Sequence, residues 1–412
     1  MILLKIYAFK KTYTVSILPL KCRLSRIIGA MAIMSMKKAA TPKPGLLQPI
    51  SNSPACCPEG PHHNGSYGAD MSLKNVLLKR LDKILGKYHY KACPQKLLYP
   101  WQCSAQVDKS QLQEMNLPVH AKSYLNPTHP RLLELQERYA RFQKATESLI
   151  WTPDYIKAQD LLFFRGDNGY IWQSRGNNMN EMSYTLAYYY VKSIDSLDLL
   201  NKLREDKWFG NITFQLEGKL ISRDLLDSIL EIYFLHKHLD LSSSAVTGNI
   251  LDIGAGYGRL AHRLLRAFPN IKTCFCTDAV AISTFICEYY LKFRNLGEKA
   301  VAVPLHQIES VLKENKIDMA LNIHSFSECS KPAIEWWLDK LQRFGIPFLL
   351  VIPNPMNHGG KHLLTTEGIN FTPIIKQHGY DLVSREPKYN DPLVQKYAMA
   401  PTYYYLFKSR SH

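Results

Sequence analysis

At 412 residues the chain is long enough for two domains, and with 46% hydrophobic and 21% charged residues it can bury a sizeable core, which excludes a disordered or fibrous protein. No run approaches the ~18 consecutive apolar residues that a membrane-spanning helix needs, so a soluble globular protein is expected. The formal charge is +16, yet residues 1–70 hold nine Lys or Arg against two acids, Glu59 and Asp70; the rest of the chain carries +9 without a dense basic run, which argues against a nucleic-acid partner.

Residues 1–70 read as a basic tail that becomes rich in Pro, Gly, Ser and Asn between Pro42 and Gly68 and forms no packed element there. A transit-like leader and an over-extended translation start, given Met31, Met34, Met36 and Met71, are both open. From residue 71 to 246 apolar residues recur at helical spacing, as in Leu77, Leu81, Ile84 and Leu85 or Leu132, Leu135, Tyr139 and Phe142, predicting a mostly helical region. Inside it, Phe163 to Gln173 is polar and aromatic with Gly and Asn at turn positions and reads as a loop. Ser222 caps a helix with Asp224 in its first turn and Leu225, Leu226, Ile229 and Tyr233 on its apolar face.

Residues 247–412 change pattern to short apolar runs alternating with amphipathic helices, which predicts βαβ units and a parallel sheet. The strands are expected at Asn249–Ile253, Thr273–Thr277, Ala300–Val303, Asp318–Ile323 and Phe348–Ile352. Helices are expected at Arg259–Phe268, stopped by Pro269, and from Ser330 with Pro332 in its first turn. Tyr380–Ser384 and Tyr403–Phe407 are two strand-like runs suited to an antiparallel hairpin on the sheet edge.

The run Leu251-Asp252-Ile253-Gly254-Ala255-Gly256-Tyr257-Gly258 is a strand entering a glycine turn that opens a helix. Twenty-six residues after Asp252, Asp278 stands at the end of the second strand, where a carboxylate can accept bonds from ribose hydroxyls. The spacing of Gly254, Gly256 and Gly258 is GxGxG, so the dinucleotide pattern GxGxxG is not met. An acid at position 252 repels a pyrophosphate and attracts the ammonium and sulfonium of S-adenosylmethionine. S-adenosylmethionine is therefore the expected cofactor, against a dinucleotide or a glycine turn without ligand.

The fourth strand ends in Asn322-Ile323-His324-Ser325-Phe326-Ser327-Glu328, where open α/β sheets bind ligands. Asn322 is expected to contact the cofactor. His324 suits a general base for a hydroxyl nucleophile, or else bonds loop carbonyls; Glu328 orients that imidazole or caps the next helix. The loop Pro353–His362 brings His358 and His362 to the border of the site, as second-choice bases or, with Asp391, as ligands of a divalent ion; no metal is committed to. Asp167, Asn168, Tyr170, Trp172 and Gln173, with Lys388, Tyr389, Asn390 and Asp391, are of the type that binds a sugar, or they close the interdomain core.

Phe164 to Gln173, Ser222 to Ser228, the Asp252 turn, His324 to Glu328, Glu386 to Pro392 and Pro401 to Phe407 together resemble the sugar O-methyltransferase family, over about Trp151 to Phe407. In the cofactor turn the family pattern falls on Asp252, Gly254, Gly256 and Gly258; Cys329 stands where methionine is more usual, and residues 1–70 have no counterpart. The resemblance implies a class I methyltransferase fold: a mainly parallel, Rossmann-like sheet with an antiparallel C-terminal hairpin, preceded by a helical acceptor-side region. It implies O-methylation of a sugar or glycan hydroxyl. A methyltransferase acting on RNA or a protein side chain, and a non-catalytic protein keeping the fold, are the alternatives. Nine cysteines without a CxxC pair read as free thiols in a reducing compartment, hence a cytoplasmic protein.

Overall fold

A computed structural model describes residues 2–8, 11–17, 116–151, 155, 161–166, 181–243 and 248–411. The chain divides into two compact units, Met1–Leu97 and Leu98–His412. In the first, β1 (Ile2–Ala8) and β2 (Lys11–Ile17) pair antiparallel, with Ile6 opposite Tyr13 and Leu4 opposite Val15. The tail expected at residues 1–70 contained no strands; β-branched and aromatic residues concentrated on both runs favour the ladder. The expected tail between residues 18 and 70 and the helical spacing of Leu77 to Leu85 lie outside the described residues.

In the second unit, α1 (Pro130–Tyr139) and α2 (Glu181–Ile194) precede the small hairpin β3 (Phe214–Leu216) and β4 (Lys219–Ile221). Helix α3 (Arg223–Leu239) begins as expected, the Ser222 hydroxyl accepting from the Leu225 N–H at 3.0 Å. Then come β5 (Asn249–Ile253), α4 (Arg259–Ala267), β6 (Thr273–Thr277), α5 (Ala281–Phe293), β7 (Ala300–Val303), α6 (Ile308–Glu314) and β8 (Ile317–Ile323). The chain ends with α7 (Lys331–Arg343), β9 (Phe348–Ile352), α8 (Thr372–Gln377), β10 (Tyr380–Pro387), α9 (Pro392–Tyr397) and β11 (Tyr403–Ser409).

The seven strands of the main sheet lie in the order β7-β6-β5-β8-β9-β11-β10. Strands β5 to β9 run parallel to one another, and β11 inserts antiparallel between β9 and β10. This is the class I methyltransferase arrangement, with the edge hairpin as expected from the sequence. Every residue of β5 is buried, which explains why the run Asn-Ile-Leu-Asp-Ile shows no alternation: both faces of a central parallel strand are covered. Strand β8 starts one residue earlier than expected because Ile317 pairs with Asn249.

Chain order reverses between β5 and β8, and the strand ends are level there: Ile253 lies opposite both Thr277 and Asn322. Gly254, Asp278 and His324 therefore leave the sheet along one edge, at the switch point where such sheets bind ligands. Residues 116–243 do not form a domain apart from 247–412, as the sequence division supposed; Leu132, Leu135 and Tyr139 of α1 belong to the same buried cluster as Phe285 of α5 and the strands. The reason is packing: the apolar stripes of α1 and α3 close on α5 and α4. Among the described residues no helix is long and apolar enough to cross a membrane.

Candidate functional site

The glycine turn is held by the strand beside it. Gly254 and Ala255 donate to the Thr277 carbonyl at 2.9 and 3.1 Å. Gly254 (φ 73°) and Gly258 (φ 83°) are left-handed, where a Cβ is strained, and space forbids one as well. A Cβ on Gly254 would stand 2.3 Å from the Ser325 Cβ, and one on Gly258 2.9 Å from Leu291 of α5. Gly256 shares the left-handed conformation and donates its N–H to Asp278 at 3.0 Å.

Asp278 accepts that bond on one oxygen and the Val280 N–H, at 2.9 Å, on the other. Burial pushes its carboxyl up to about 7, the two backbone donors oppose the shift, and nearby Glu328 adds to it. Asp252, 4% exposed, has no hydrogen-bond partner among the described residues. Burial pushes it also up to about 7, against the pull of Arg259.

Both carboxylates line a cavity of about 410 Å³ at the switch point. Its walls come from the glycine turn, Asp278–Val280, Ile323–Ser325, Glu328, Asn354–Met356, Arg223, Tyr184, Met399, Ala400 and the segment from Ala145 to Trp151. The nearest guanidiniums are already engaged: Arg259 bonds both oxygens of Glu231 at 2.8 and 2.9 Å, and Arg223 bonds Asp227 at 3.2 Å. A buried carboxylate with no partner on an open cavity calls for a cation, so the residues present fit a sulfonium or ammonium ligand and disfavour a pyrophosphate.

His324 lines this cavity, as expected. Its backbone is left-handed (φ 67°), fixed by donation to the Ile352 carbonyl at 2.7 Å, and its Nδ1 has no partner among the described residues. Burial, with Arg223 and Arg259 close by, pushes the imidazole down to about 3, so it is neutral at physiological pH. Met356 and Ala400, both at φ 42°, are also non-glycine residues in the left-handed region on the same cavity. Three strained residues thus line one cavity, the kind of clustering that marks functional sites.

Other expected residues do different work. Asn322 is fully buried and its amide is spent on the backbone: it donates to the Ile253 carbonyl at 3.1 Å and accepts from the Phe326 N–H at 2.8 Å. It ties two strand ends together rather than lining the cavity. Glu328 neither orients His324 nor caps α7, which Ser330 caps; its carboxylate accepts from the Trp151 indole at 2.6 Å and from Asn354 at 2.7 Å. Burial raises it above the usual carboxylate range.

Tyr389 is fully buried and donates to the Met399 carbonyl at 2.9 Å, and Asp391 caps α9 through the N–H groups of Leu393 and Val394 at 2.8 and 2.9 Å. Neither lines the cavity, because the Glu386–Pro392 segment folds behind it; buried Lys388 bonds Asp227 and the Met399 and Ala400 carbonyls and so supports the strained turn at the wall. His358 is off the cavity too, its ring 5.6 Å from that of His362. With Asp391 engaged elsewhere, no group of three or more His, Cys, Asp or Glu suited to a metal occurs among the described residues. Asp167, Asn168, Tyr170, Trp172 and Gln173 lie outside the described residues.

Three groups of wall residues were not singled out from the sequence: Arg223 with Tyr184, Met399 with Ala400, and the Ala145–Trp151 segment. Trp151 stands 177 positions from the Glu328 it bonds, and no local pattern announces such a pairing.

The strand order is that of the class I methyltransferase fold. No protein-family model and no curated protein matches the chain. Among solved structures it is similar to a SAM-dependent methyltransferase from Aquifex aeolicus, at 16% identity over 44% of this chain and 92% of that one, TM-score 0.33. It is similar also to an S-adenosylmethionine-dependent methyltransferase from Clostridium acetobutylicum ATCC 824 (12% identity, 44% of this chain, 90% of that one, TM-score 0.31). A third likeness is to the [4+2]-cyclase SpnF (15% identity, 48% and 85%, TM-score 0.32).

Proposed function

We propose that the protein is an S-adenosylmethionine-dependent O-methyltransferase whose acceptor is a sugar or glycan hydroxyl. The observation that carries the cofactor is Asp252, a buried carboxylate without a side-chain partner among the described residues, on an open cavity that Asp278 also lines. When bound, S-adenosylmethionine supplies an electrophilic methyl group that passes to the acceptor oxygen. Asp252 supplies the counter-charge to a cationic ligand, and Asp278, already fixed by two backbone donors, keeps lone pairs for ribose hydroxyls.

His324, on the same cavity, is neutral, and with its Nδ1 buried it is Nε2 that is left to take the proton that the acceptor hydroxyl loses. Its low basicity puts its share at the lower end of the usual range, roughly 10²-fold. Alignment of the reacting groups in the cavity carries more, on the order of 7–11 kcal/mol. The sugar acceptor is supported by the motif resemblance, in which Asp167, Asn168, Tyr170 and Trp172 keep their acceptor role; Tyr389 and Asp391 act as scaffold. A cytoplasmic location is supported by Cys274, Cys276, Cys287 and Cys329, which are buried free thiols.

The test is transfer of radiolabelled methyl from S-adenosylmethionine to a panel of free glycans, nucleotide sugars, RNA and protein. Label on a glycan or nucleotide sugar is expected. Label confined to RNA or protein would overturn the acceptor, and no label on any of them would overturn the activity.

A further inference from the structure

The cofactor cavity is roofed by a part of the chain that precedes the sheet by about a hundred residues. From Glu147 to Trp151 the backbone runs along the loop after β8. Ser148 forms an antiparallel bridge with Cys329, the Leu149 N–H donates to the Glu328 carbonyl at 2.8 Å, and the Ser330 N–H donates to the Glu147 carbonyl at 3.3 Å. The Ser330 hydroxyl donates to the Glu147 carboxylate at 2.7 Å, and the Ser148 hydroxyl receives the Trp151 N–H at 2.8 Å. Ala145, Glu147, Ser148, Ile150 and Trp151 all line the same cavity as Asp252 and Asp278.

The side chain that fastens this strap is Glu328. One oxygen takes the Trp151 indole N–H and the other takes Asn354 from the loop after β9, so a single half-buried carboxylate joins three segments that are remote in sequence. An indole placed by a charge-assisted bond of 2.6 Å presents a flat ring to the cavity in one orientation, which costs a ligand little ordering. We infer that Trp151 is a cofactor-binding residue contributed by the N-terminal region and that Glu328 is its positioning residue. This inference rests on the cofactor reading above and assigns two residues their parts in it. Residues 247–412 taken alone would lack one wall of the site.

Titration of the full chain with S-adenosylhomocysteine tests it, using Glu328→Ala, Glu328→Gln, Trp151→Phe and Trp151→Ala. Glu328→Ala and Trp151→Ala are expected to weaken binding about tenfold or more, and Trp151→Phe, which keeps a ring without the N–H, by less. Glu328→Gln restores an acceptor for the indole and is expected to recover most of the affinity, a rescue that simple loss of packing would not show. In Trp151→Phe, the change in tryptophan fluorescence on ligand addition should shrink.

Wild-type affinity in both alanine variants, with cooperative unfolding retained, would overturn the inference while leaving the cofactor reading intact. If an alanine variant does not fold, Trp151→Phe decides: wild-type affinity with an unchanged fluorescence response overturns it. Absence of binding by the wild-type chain would overturn the cofactor reading itself.

Discussion

The Tyr257 hydroxyl, in the glycine turn, donates to the Asp224 carboxylate at 2.7 Å, joining the cofactor loop to the start of α3. The other Asp224 oxygen receives the Arg165 guanidinium at 2.8 and 3.0 Å, and Arg165 also bonds Glu205 at 2.7 Å. Three stretches that look unrelated along the chain, around residues 165, 224 and 257, therefore meet in one buried charge cluster. Burial pushes the Asp224 carboxyl up, and Arg165, Arg263 and Arg259 together hold it below the usual range.

Removing the centre of that cluster takes from the buried Arg165 guanidinium one of its carboxylates and from the Tyr257 hydroxyl its acceptor. Asp224→Ala is expected to lower stability by about 3–5 kcal/mol. Tyr257→Phe, which deletes one bond to a charged group, should cost about 1.5–3 kcal/mol. Denaturant unfolding followed by circular dichroism measures both; equal small effects would contradict the cluster's role.

Gly254→Ala places a Cβ against Ser325 and should abolish S-adenosylhomocysteine binding by displacing the loop after β8. Adding Ser325→Gly removes the atoms it would strike and leaves the φ strain, roughly 1–2 kcal/mol, so binding should partly return. Calorimetric titration of the single and double variants checks this.

Asp252 and Asp278 both stand near 7 in the folded chain against about 4 when unfolded. The folded state thus holds extra protons between about pH 4 and 7, and the stability these groups contribute falls as pH rises through that window. A cationic ligand favours the ionised forms, so its affinity should tighten from pH 6 to pH 8 with proton release on binding. Calorimetry in buffers of different ionisation enthalpy reads the release, and Asp252→Asn should reduce it.

His324 titrates near 3, so kcat at saturating cofactor should show no limb between pH 6 and 7 from this residue. His324→Asn, a side chain tolerant of the left-handed backbone there, should lower kcat about 100-fold with cofactor affinity little changed. Single-turnover kinetics would separate the two quantities.

Much of the sheet was legible in the sequence. Asn249–Ile253, Thr273–Thr277 and Phe348–Ile352 fall where their apolar runs place them, because central strands need both faces apolar, and the edge strand Ala300–Val303 is a short apolar run closed by Pro304. That Asp252 and Asp278 reach one cavity follows from the same pattern, since both stand at or near the ends of buried strands that finish level. Asn322, Glu328, Tyr389 and Asp391 misled because residue type does not reveal whether a polar group is already spent on the backbone. The Arg165–Asp224 and Trp151–Glu328 pairs bridge 59 and 177 positions, and only the folded chain brings them together.

The central claim is that the crevice after β5 holds S-adenosylmethionine against Asp252 and Asp278. Titration calorimetry of the full chain with S-adenosylmethionine, repeated with Asp278→Asn, tests it most directly. One-site binding in the wild type, weakened about tenfold or more in the variant, is the predicted result. A folded wild type that gives no heat, or a variant that binds as well as the wild type, would contradict it.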